Sequence, residues 1–235
     1  MKNKVYQTFD QAVADIPDGV TIMFPGFGGI GVPRNLIAAL HRQGAKGLTG
    51  ISNNAGTLDA KAPDMGTLIE AGQVKKMYCA FTSPTHPSRV TAFVRMYNNN
   101  EIEAETVPQG TMAERIRAAG AGIGAFYTPT SVGTELAEGK EHRVINGRTY
   151  VLEYPLHADY AFIRAWKADT FGNLQFRLTQ RNFNPIMAMA AKTTIVEVEN
   201  DVVAPGELDP DAIHVPGVYV HRIVRIPPAP QGIWD

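Results

Sequence analysis

Two short amide-rich segments, Asn53-Asn54 and Gln109-Gly110, follow stretches of the chain that we predict to be strands. Ligands of open α/β sheets bind just beyond the carboxyl ends of the strands, so both segments are candidate binding sites. A side-chain amide offers N–H donors without a net charge, which suits an oxyanion that exists only in a transition state. Asn-Asn and Gln-Gly are also common in turns, and the spacing by itself favours that structural explanation.

A glycine-rich loop at 25–33 is the second candidate site. It follows an apolar run at 20–24, predicted to be a buried strand, and precedes a predicted helix at 34–40. Because amide donors and the helix dipole converge at a helix N-terminus, this junction is a candidate seat for phosphate or carboxylate. The alternative is a tight turn that binds no ligand. The candidate cofactor-binding residues are Pro25, Gly26, Phe27, Gly28, Gly29, Ile30 and Gly31.

The pattern Gly26-x-Gly28-x-x-Gly31 also matches the fingerprint of dinucleotide-binding proteins. Those proteins carry an acidic residue about 20 residues further on, at the end of the second strand, which binds the ribose. Here the second predicted strand, 48–52, ends in Asn53-Asn54, and the nearest later acid, Asp59, lies beyond that loop. An NAD-dependent oxidoreductase is therefore a remote alternative.

A regular scaffold must position these segments, and the first half of the chain alternates strand and helix. We predict strands at 20–24, 48–52, 74–81 and 104–107, with helices at 34–40 (stopping at Gly44), 63–71, 88–99 and 111–117. The last helix begins with a capping box formed by Thr111 and Glu114. This alternation indicates a parallel sheet covered on both faces. If the strands are parallel, the loops 25–33, 53–56 and 109–111 meet at one edge.

The second half of the chain adds antiparallel structure. Asn146-Gly147 between 143–145 and 148–152 predicts a type I′ hairpin, and 161–168 with 174–178 predicts a second hairpin. A helix at 186–192 and strands at 194–198 and 218–226 follow. The predicted fold class is α/β, an open, mostly parallel sheet with helices on both faces and antiparallel hairpin additions. We expect a single domain at 1–226 and a Pro-rich tail at 227–235.

Composition argues against several classes of protein. The chain has 235 residues, 44% of them hydrophobic, which is enough for a full core. Its 22 basic and 23 acidic residues are mixed throughout, so neither nucleic acid nor an anionic membrane is an expected partner. No apolar run approaches the ~20 residues of a membrane span, and no signal peptide opens the chain. The single cysteine, Cys79, has apolar neighbours, and we predict a core thiol and a cytoplasmic location.

Charged side chains provide no further catalytic group by their spacing. The six histidines lack metal-ligand spacing, and no metal is expected. We predict that Arg115 and Arg117 lie on a solvated helix face. Solvation also explains the glutamates that fall on predicted helix faces, strands and charged loops, which are Glu70, Glu114, Glu135, Glu138, Glu153, Glu197, Glu199 and Glu207.

The chain resembles the class I coenzyme A transferases at their signature, through Asp18-Gly19, an apolar run and Gly26-Phe27-x-x-x-Gly31-x-Pro33. The signature usually has a glycine where this chain has Pro25. Segments 52–56, 107–117 and 181–184 are similar to the alpha (A) subunits of 3-oxoacid CoA-transferases, and 153–159 and 185–192 are most similar to the 3-oxoadipate enzymes. The resemblance runs from about residue 10 to about residue 224.

This resemblance implies transfer of CoA from succinyl-CoA to a 3-oxoacid by a ping-pong mechanism, with 3-oxoadipate as the expected acceptor. The nucleophilic glutamate of two-subunit members belongs to the beta subunit, and no segment here resembles its surroundings. We therefore expect half an active site, completed by a beta subunit in an α2β2 assembly. The resemblance makes Gln109 the oxyanion donor and Asn53 and Asn54 the substrate-positioning residues. It also places CoA, a co-substrate rather than a permanently bound cofactor, against the 25–31 loop.

Other acceptors and activities remain as alternatives. The segment 82–88 departs from the 3-oxoadipate pattern, so acetoacetate or another short-chain acid is an alternative acceptor. A CoA-ester hydrolase of related fold would use water as the acceptor. A non-catalytic module would bind CoA esters without turnover.

Overall fold

A computed structural model describes residues 4–56, 62–82 and 90–228 of the chain. Its strands are β1 Val5–Tyr6, β2 Thr21–Phe24, β3 Leu48–Asn54, β4 Val74–Phe81, β5 Glu103–Thr106, β6 Phe126–Thr128, β7 His142–Ile145, β8 Arg148–Glu153, β9 Ala158–Ala165, β10 Lys167–Ala168, β11 Leu174–Gln175, β12 Ala191–Val198 and β13 Arg222–Arg225. Its α-helices are α1 Phe9–Val13, α2 Arg34–Gln43, α3 Met65–Glu70, α4 Ala92–Asn98, α5 Gln109–Ala121 and α6 Asn184–Ala190.

A parallel sheet organises the described part of the chain. Eight strands follow the order β1-β13-β12-β9-β2-β3-β4-β5, and every neighbouring pair is parallel. From β2 the chain adds β3, β4 and β5 towards one side, whereas β9, β12 and β13 lie on the other. The order therefore reverses between β2 and β9, which makes that junction the switch point of the sheet.

Helices cover both faces of this sheet, as predicted. Alternating strand residues point to opposite faces, so Ile22 and Phe24 join one core cluster while Met23 joins the other. The helices α1 to α4 pack in the first cluster, and α5 and α6 pack in the second. The predicted open α/β sheet is confirmed, and the predicted stop of α2 is confirmed by Gly44 in a left-handed C-cap.

The antiparallel additions were predicted only in part. The strands β6, β8 and β7 form a three-stranded antiparallel sheet, and Asn146 and Gly147 make the predicted turn with φ angles of 50° and 76°. The second predicted hairpin is wrong over most of its length, because β9 lies inside the main sheet, parallel to β2 and β12. Only β10 and β11 pair as a short hairpin. Ala161, Phe162 and Ile163 are fully buried, which suits a central strand.

The start of α5 also differs from the prediction. The backbone N–H of Met112 donates to the carbonyl of Pro108 at 2.8 Å, so the first helical turn closes ahead of Thr111. Gln109 is therefore the first residue of the helix, and Thr111 lies inside it rather than capping it. Other elements depart from the predicted bounds by a few residues, and β13 is shorter than the strand predicted at 218–226.

Several expectations concern residues outside the described ranges. Asp59, residues 83–88 of the 82–88 segment and residues 88–89 of the predicted helix 88–99 lie there, as does most of the predicted tail at 227–235. The division into a domain and a tail stays a prediction. No helix within the described ranges combines the length and hydropathy of a membrane span.

Candidate active site

The three predicted amide residues lie together at the carboxyl edge of the sheet. Gln109 Nε2 donates to Asn53 Oδ1 at 2.7 Å, and Asn53 Nδ2 donates to Asn54 Oδ1 at 2.7 Å. Asn53 and Asn54 are the last residues of β3, and Gln109 begins α5. We call this chain of side-chain amides the amide array.

Within the amide array, Gln109 is exposed to solvent and is held by the buried Asn53. Asn53 is 2% exposed, whereas Gln109 is exposed to solvent. A carboxamide carries two N–H donors, and Gln109 commits one of them to Asn53. The other N–H can therefore be donated to a ligand without breaking the array.

The glycine loop is a miniature hairpin. The N–H of Phe27 donates to the carbonyl of Ile30, and the N–H of Ile30 donates to the carbonyl of Phe27, both at 3.1 Å. Gly28 and Gly29 at the tip have φ angles of 58° and 91°, the values of a type I′ turn. Their own N–H groups make no hydrogen bond to the described part of the chain. Within the described residues, the loop tip therefore offers two backbone donors without an acceptor.

Two asparagines of the 181–184 segment anchor the exit of this loop. Asn182 Nδ2 donates to the carbonyl of Ile30 at 3.0 Å, and Asn184 Nδ2 donates to the carbonyl of Gly31 at 3.1 Å. A Cβ atom on Gly31 would lie 2.8 Å from Asn184 Nδ2, so only glycine fits against this anchor. The sequence motif at 181–184 thus acts by holding the glycine loop.

A narrow crevice separates the loop from the amide array. Pro25, Gly26 and Gly29 line one side, and Ser52 and Asn54 line the other. The predicted meeting of the loops 25–33 and 53–56 at one edge is confirmed, and Gln109 joins them through Asn53. The crevice encloses about 20 Å³, room for about one water molecule, so a larger ligand must lie across its mouth.

The N-terminus of α2, predicted as an anion seat, is occupied by a carboxylate of the protein itself. Glu197 accepts hydrogen bonds from the backbone N–H of Asn35 at 2.9 Å and of Leu36 at 3.1 Å. Arg164 Nη1 donates to the same carboxylate at 3.2 Å. This arrangement also removes the phosphate seat that a dinucleotide would need.

Glu197 corrects the prediction that solvation explains the glutamates. Its side chain is 0% exposed, and burial raises its pKa to about 7, although Arg164 and the α2 amides act in the opposite direction. Its neighbours Val196 and Val198 are buried as well, so β12 has apolar residues on both sides of the glutamate. A charged residue between apolar ones in a predicted strand was the sequence signal for a buried glutamate. Its partners in α2 are 161 and 162 residues away, so the sequence did not indicate what it binds.

A polar network connects Glu197 to the loop anchor. Arg164 Nε donates to Glu199 Oε1 at 2.9 Å, and Gln180 Nε2 donates to the same oxygen at 3.0 Å. The backbone N–H of Arg164 donates to Asn184 Oδ1 at 2.8 Å. The strands β9 and β12, the start of α2 and the loop anchor are therefore joined by hydrogen bonds.

Arg115 and Glu153 are also less solvated than predicted. Arg115 is 9% exposed, donates to the carbonyl of Tyr154 at 2.8 Å and pairs with Glu105 at 2.9 Å. Glu153 is 2% exposed and pairs with Lys140. These contacts tie α5 to the antiparallel sheet and serve structure. The prediction for Arg117 is confirmed, since this exposed side chain pairs only with Glu114 among the described residues.

Cysteine and metal chemistry find no support in the described residues. Cys79 is fully buried, and burial raises its pKa to about 12, so the thiol stays protonated as predicted for a core residue. No group of three His, Cys, Asp or Glu side chains in the described ranges is arranged to hold a metal ion.

Comparison with known proteins identifies the family of the chain. The family model for coenzyme A transferase matches residues 6–225. The chain is 52% identical to the A subunit of 3-oxoadipate CoA-transferase from Pseudomonas putida, covering 96% of this chain and 95% of the relative. It is 51% identical to the A subunit of a probable succinyl-CoA:3-ketoacid coenzyme A transferase from Bacillus subtilis, covering 94% of this chain and 89% of the relative.

A solved structure shows the same fold at lower identity. Glutaconate coenzyme A-transferase from Acidaminococcus fermentans superimposes with a TM-score of 0.82 at 23% identity, over 95% of this chain and 76% of that chain. The family model spans nearly the whole chain, and both relatives from P. putida and B. subtilis exceed half identity. The chain therefore belongs to the coenzyme A transferase family.

Proposed function

We propose that this chain is the A subunit of a two-subunit CoA-transferase that moves CoA from succinyl-CoA to 3-oxoadipate. The amide array is the observation that carries the proposal, because it provides oxyanion donors without a nucleophile. Among the described residues, Asp64 is the one carboxylate that lines the crevice, and it accepts from the N–H of Gly66 at 2.8 Å as the N-cap of α3. The relatives from P. putida and B. subtilis are both named as the A component of their enzymes, which supports a beta-subunit partner.

The nucleophile in this proposal is a glutamate of the beta subunit. Its carboxylate oxygen attacks the thioester carbonyl of succinyl-CoA, and the C–S bond breaks to give a mixed anhydride and CoA thiolate. The thiolate then attacks the glutamyl carbonyl, which releases succinate and leaves a glutamyl-CoA thioester. The 3-oxoacid carboxylate repeats these steps in reverse, so the kinetics are ping-pong.

Each of these attacks forms a tetrahedral oxyanion. The free N–H of Gln109 donates to that oxyanion, and the buried Asn53 fixes the direction of the donor. Asn54, which lines the crevice, positions the acyl or carboxylate group. The free N–H groups of Gly28 and Gly29 approach the CoA portion. A neutral donor that is fixed before the reaction stabilises the transition state without reorganisation.

Reconstitution with the partner chain tests the half-site. We expect this chain, co-expressed with the product of the adjacent reading frame, to exchange CoA between succinyl-CoA and 3-oxoadipate, and each chain alone to be inactive. A beta chain with its nucleophilic glutamate changed to glutamine is the matched control, since it keeps assembly and removes the attack. Turnover by this chain alone would contradict the proposal.

A 3-oxoacid other than 3-oxoadipate is the second candidate for the acceptor. The relative from B. subtilis carries the more general substrate name and is nearly as similar as the one from P. putida. The same assay with acetoacetate and 3-oxoadipate at equal concentrations decides between them by kcat/KM. Release of CoA without any acceptor acid would instead indicate a hydrolase.

A further inference from the structure

A second cleft lies at the switch point of the sheet, on the other flank of the glycine loop from the amide array. Its volume is about 450 Å³. The residues 29–32 that follow β2, Arg164 of β9 and Glu199 just after β12 line it, together with residues 177–180. Open α/β sheets bind their ligands outside the carboxyl ends of the strands at such a point. The proposed mechanism gives this cleft no role.

Positive charge dominates the lining of this switch-point cleft. Arg34, Arg164 and Arg177 line it, and Glu199 is the one carboxylate among the described lining residues. Arg164 is balanced by its ion pairs with Glu197 and Glu199. Neither Arg34 nor Arg177 forms an ion pair with a carboxylate in the described part of the chain.

Arg34 is held in place by groups that leave its charge intact. Its Nη1 atom donates to the backbone carbonyls of Ala62 at 3.2 Å and Pro63 at 3.3 Å. A carbonyl orients a guanidinium without neutralising it. Arg34 therefore presents a fixed positive charge at the rim of the glycine loop.

Arg177 is exposed and forms no ion pair with a described carboxylate. Its backbone is fixed, because its N–H donates to Gln180 Oε1 at 3.2 Å. A guanidinium binds carboxylate and phosphate with two parallel hydrogen bonds, and it is the usual side chain for recognition of such groups. An arginine without an ion-pair partner among the described residues, in the same cleft as a fixed one, suits an anionic ligand.

We propose that the switch-point cleft is an oxyanion-binding site in which Arg34 and Arg177 hold a phosphate or carboxylate group of a substrate, remote from the reacting carbonyl. The proposal rests on the proposed function, because both substrates supply such groups. CoA carries phosphates, and the succinyl and 3-oxoadipyl groups each carry a remote carboxylate. Phosphate and carboxylate are both resonance-stabilised oxyanions. The experiment below decides which of the two binds in the cleft.

Binding to the reconstituted two-chain complex tests the cleft independently of turnover. Titration calorimetry with 3′,5′-ADP and with adipate probes the phosphate and the dicarboxylate separately. We expect Arg177→Met to weaken at least one of them about 10-fold, because a hydrogen bond to a charged group is typically of this strength. Arg34→Met should weaken the same probe. Arg148→Met, an exposed arginine outside the cleft lining, is the charge-matched control.

The pattern of affinity losses shows which anionic group binds in the cleft, and it tests the cleft separately from the proposed function. A loss confined to 3′,5′-ADP supports the cleft as a site for CoA phosphate, and a loss confined to adipate supports it as a site for the remote carboxylate. The loss should shrink as salt is added, since the charges are partly exposed. Equal affinities in the parent and in Arg177→Met for both probes, or an equal loss in Arg148→Met, would overturn the proposal. A complex without CoA-transfer activity that still shows the Arg177-dependent loss would sink the proposed function but leave this site standing.

Discussion

Gln109 combines an exposed position with a hydrogen bond to a buried partner, and this combination makes it the most informative residue to change. We expect Gln109→Ala in the reconstituted enzyme to lower kcat by about 10²–10³ with little change in KM, because in our proposal this donor acts on the transition state. Steady-state kinetics with each substrate varied in turn measures both constants.

Asn53→Ala serves as the companion variant for this prediction. It removes the acceptor that orients Gln109, so it should also lower kcat. The double variant should then be no slower than Gln109→Ala alone, since the two residues act as one unit. Independent, additive losses would show that Asn53 does not work through Gln109, and an unchanged kcat in Gln109→Ala would remove it from the oxyanion role.

Sequence reasoning located the amide residues because strand ends are visible in sequence. Asn53, Asn54 and Gln109 each lie just past the end of a predicted strand, and parallel strands bring such positions to one edge. The hydrogen bond between Gln109 and Asn53 crosses 56 residues, and no local pattern specifies it. The burial of Glu197 was missed for the same reason, since its partners come from the distant start of α2.

At the scale of elements, Glu197 makes the junction between β12 and α2 sensitive to pH. Its pKa in the folded chain is raised from 4.5 to about 7, so between these values the folded state holds a proton that the unfolded state releases. Its contribution to stability therefore declines as pH rises through this window. Arg164 donates to this carboxylate and also to Glu199, so these two side chains are the charged groups of its network.

We expect the free energy of unfolding of the parent, relative to that of Glu197→Gln, to fall as pH rises from about 5 to about 8. Glutamine cannot titrate, so the difference between the two proteins isolates this one group from the histidines. Urea unfolding of both chains across the pH series measures the difference. A difference that stays constant with pH would show that Glu197 does not titrate in this window.

The glycine loop gives a second prediction at this scale. Gly31 has a φ angle of 76° and no room for a Cβ atom beside Asn184, whereas Gly139 has a φ angle of 72° and nothing within 4 Å. Gly31→Ala should destabilise the fold by about 1–3 kcal/mol. Gly139→Ala carries only the backbone strain and should lose less.

Denaturant unfolding of the two alanine variants compares them directly. CoA transfer by the reconstituted enzyme should fall in Gly31→Ala, because the loop exit is displaced from its anchor, and should be retained in Gly139→Ala. Equal stability losses in the two variants would mean that the packing of Asn184 against Gly31 contributes nothing.

Local signals predicted the elements more reliably than their pairing. The Gly44 stop of α2 and the turn at Asn146-Gly147 depend on a few adjacent residues, and both are confirmed. The main misassignment, β9, involved a run that suits either a hairpin or a central strand. Its location depends on β2 and β12, which are distant in sequence. The onset of α5 moved because Pro108 closes a helical turn earlier than the Thr111 pattern suggests.

At the scale of the whole molecule, we propose that the two clefts on either side of the glycine loop have separate roles, one in chemistry and one in recognition. The amide array faces the reacting carbonyl in our proposal, and the switch-point cleft holds a remote anion. One loop, anchored by Asn182 and Asn184, forms a wall of both. A ligand seated in one cleft can therefore affect the other through the position of the loop.

Because β9 lies between β2 and β12, a ribosome must synthesise the chain as far as Ala165 before the inner edge of β2 can be covered. Until then β2 has no partner on that side, and its open backbone groups can pair with another nascent chain. Contacts of such long sequence separation also slow folding. The insertion of β9 creates the switch point and also exposes the nascent chain. We therefore expect the nascent chain to bind chaperones, and truncated chains that end before Ala165 to aggregate.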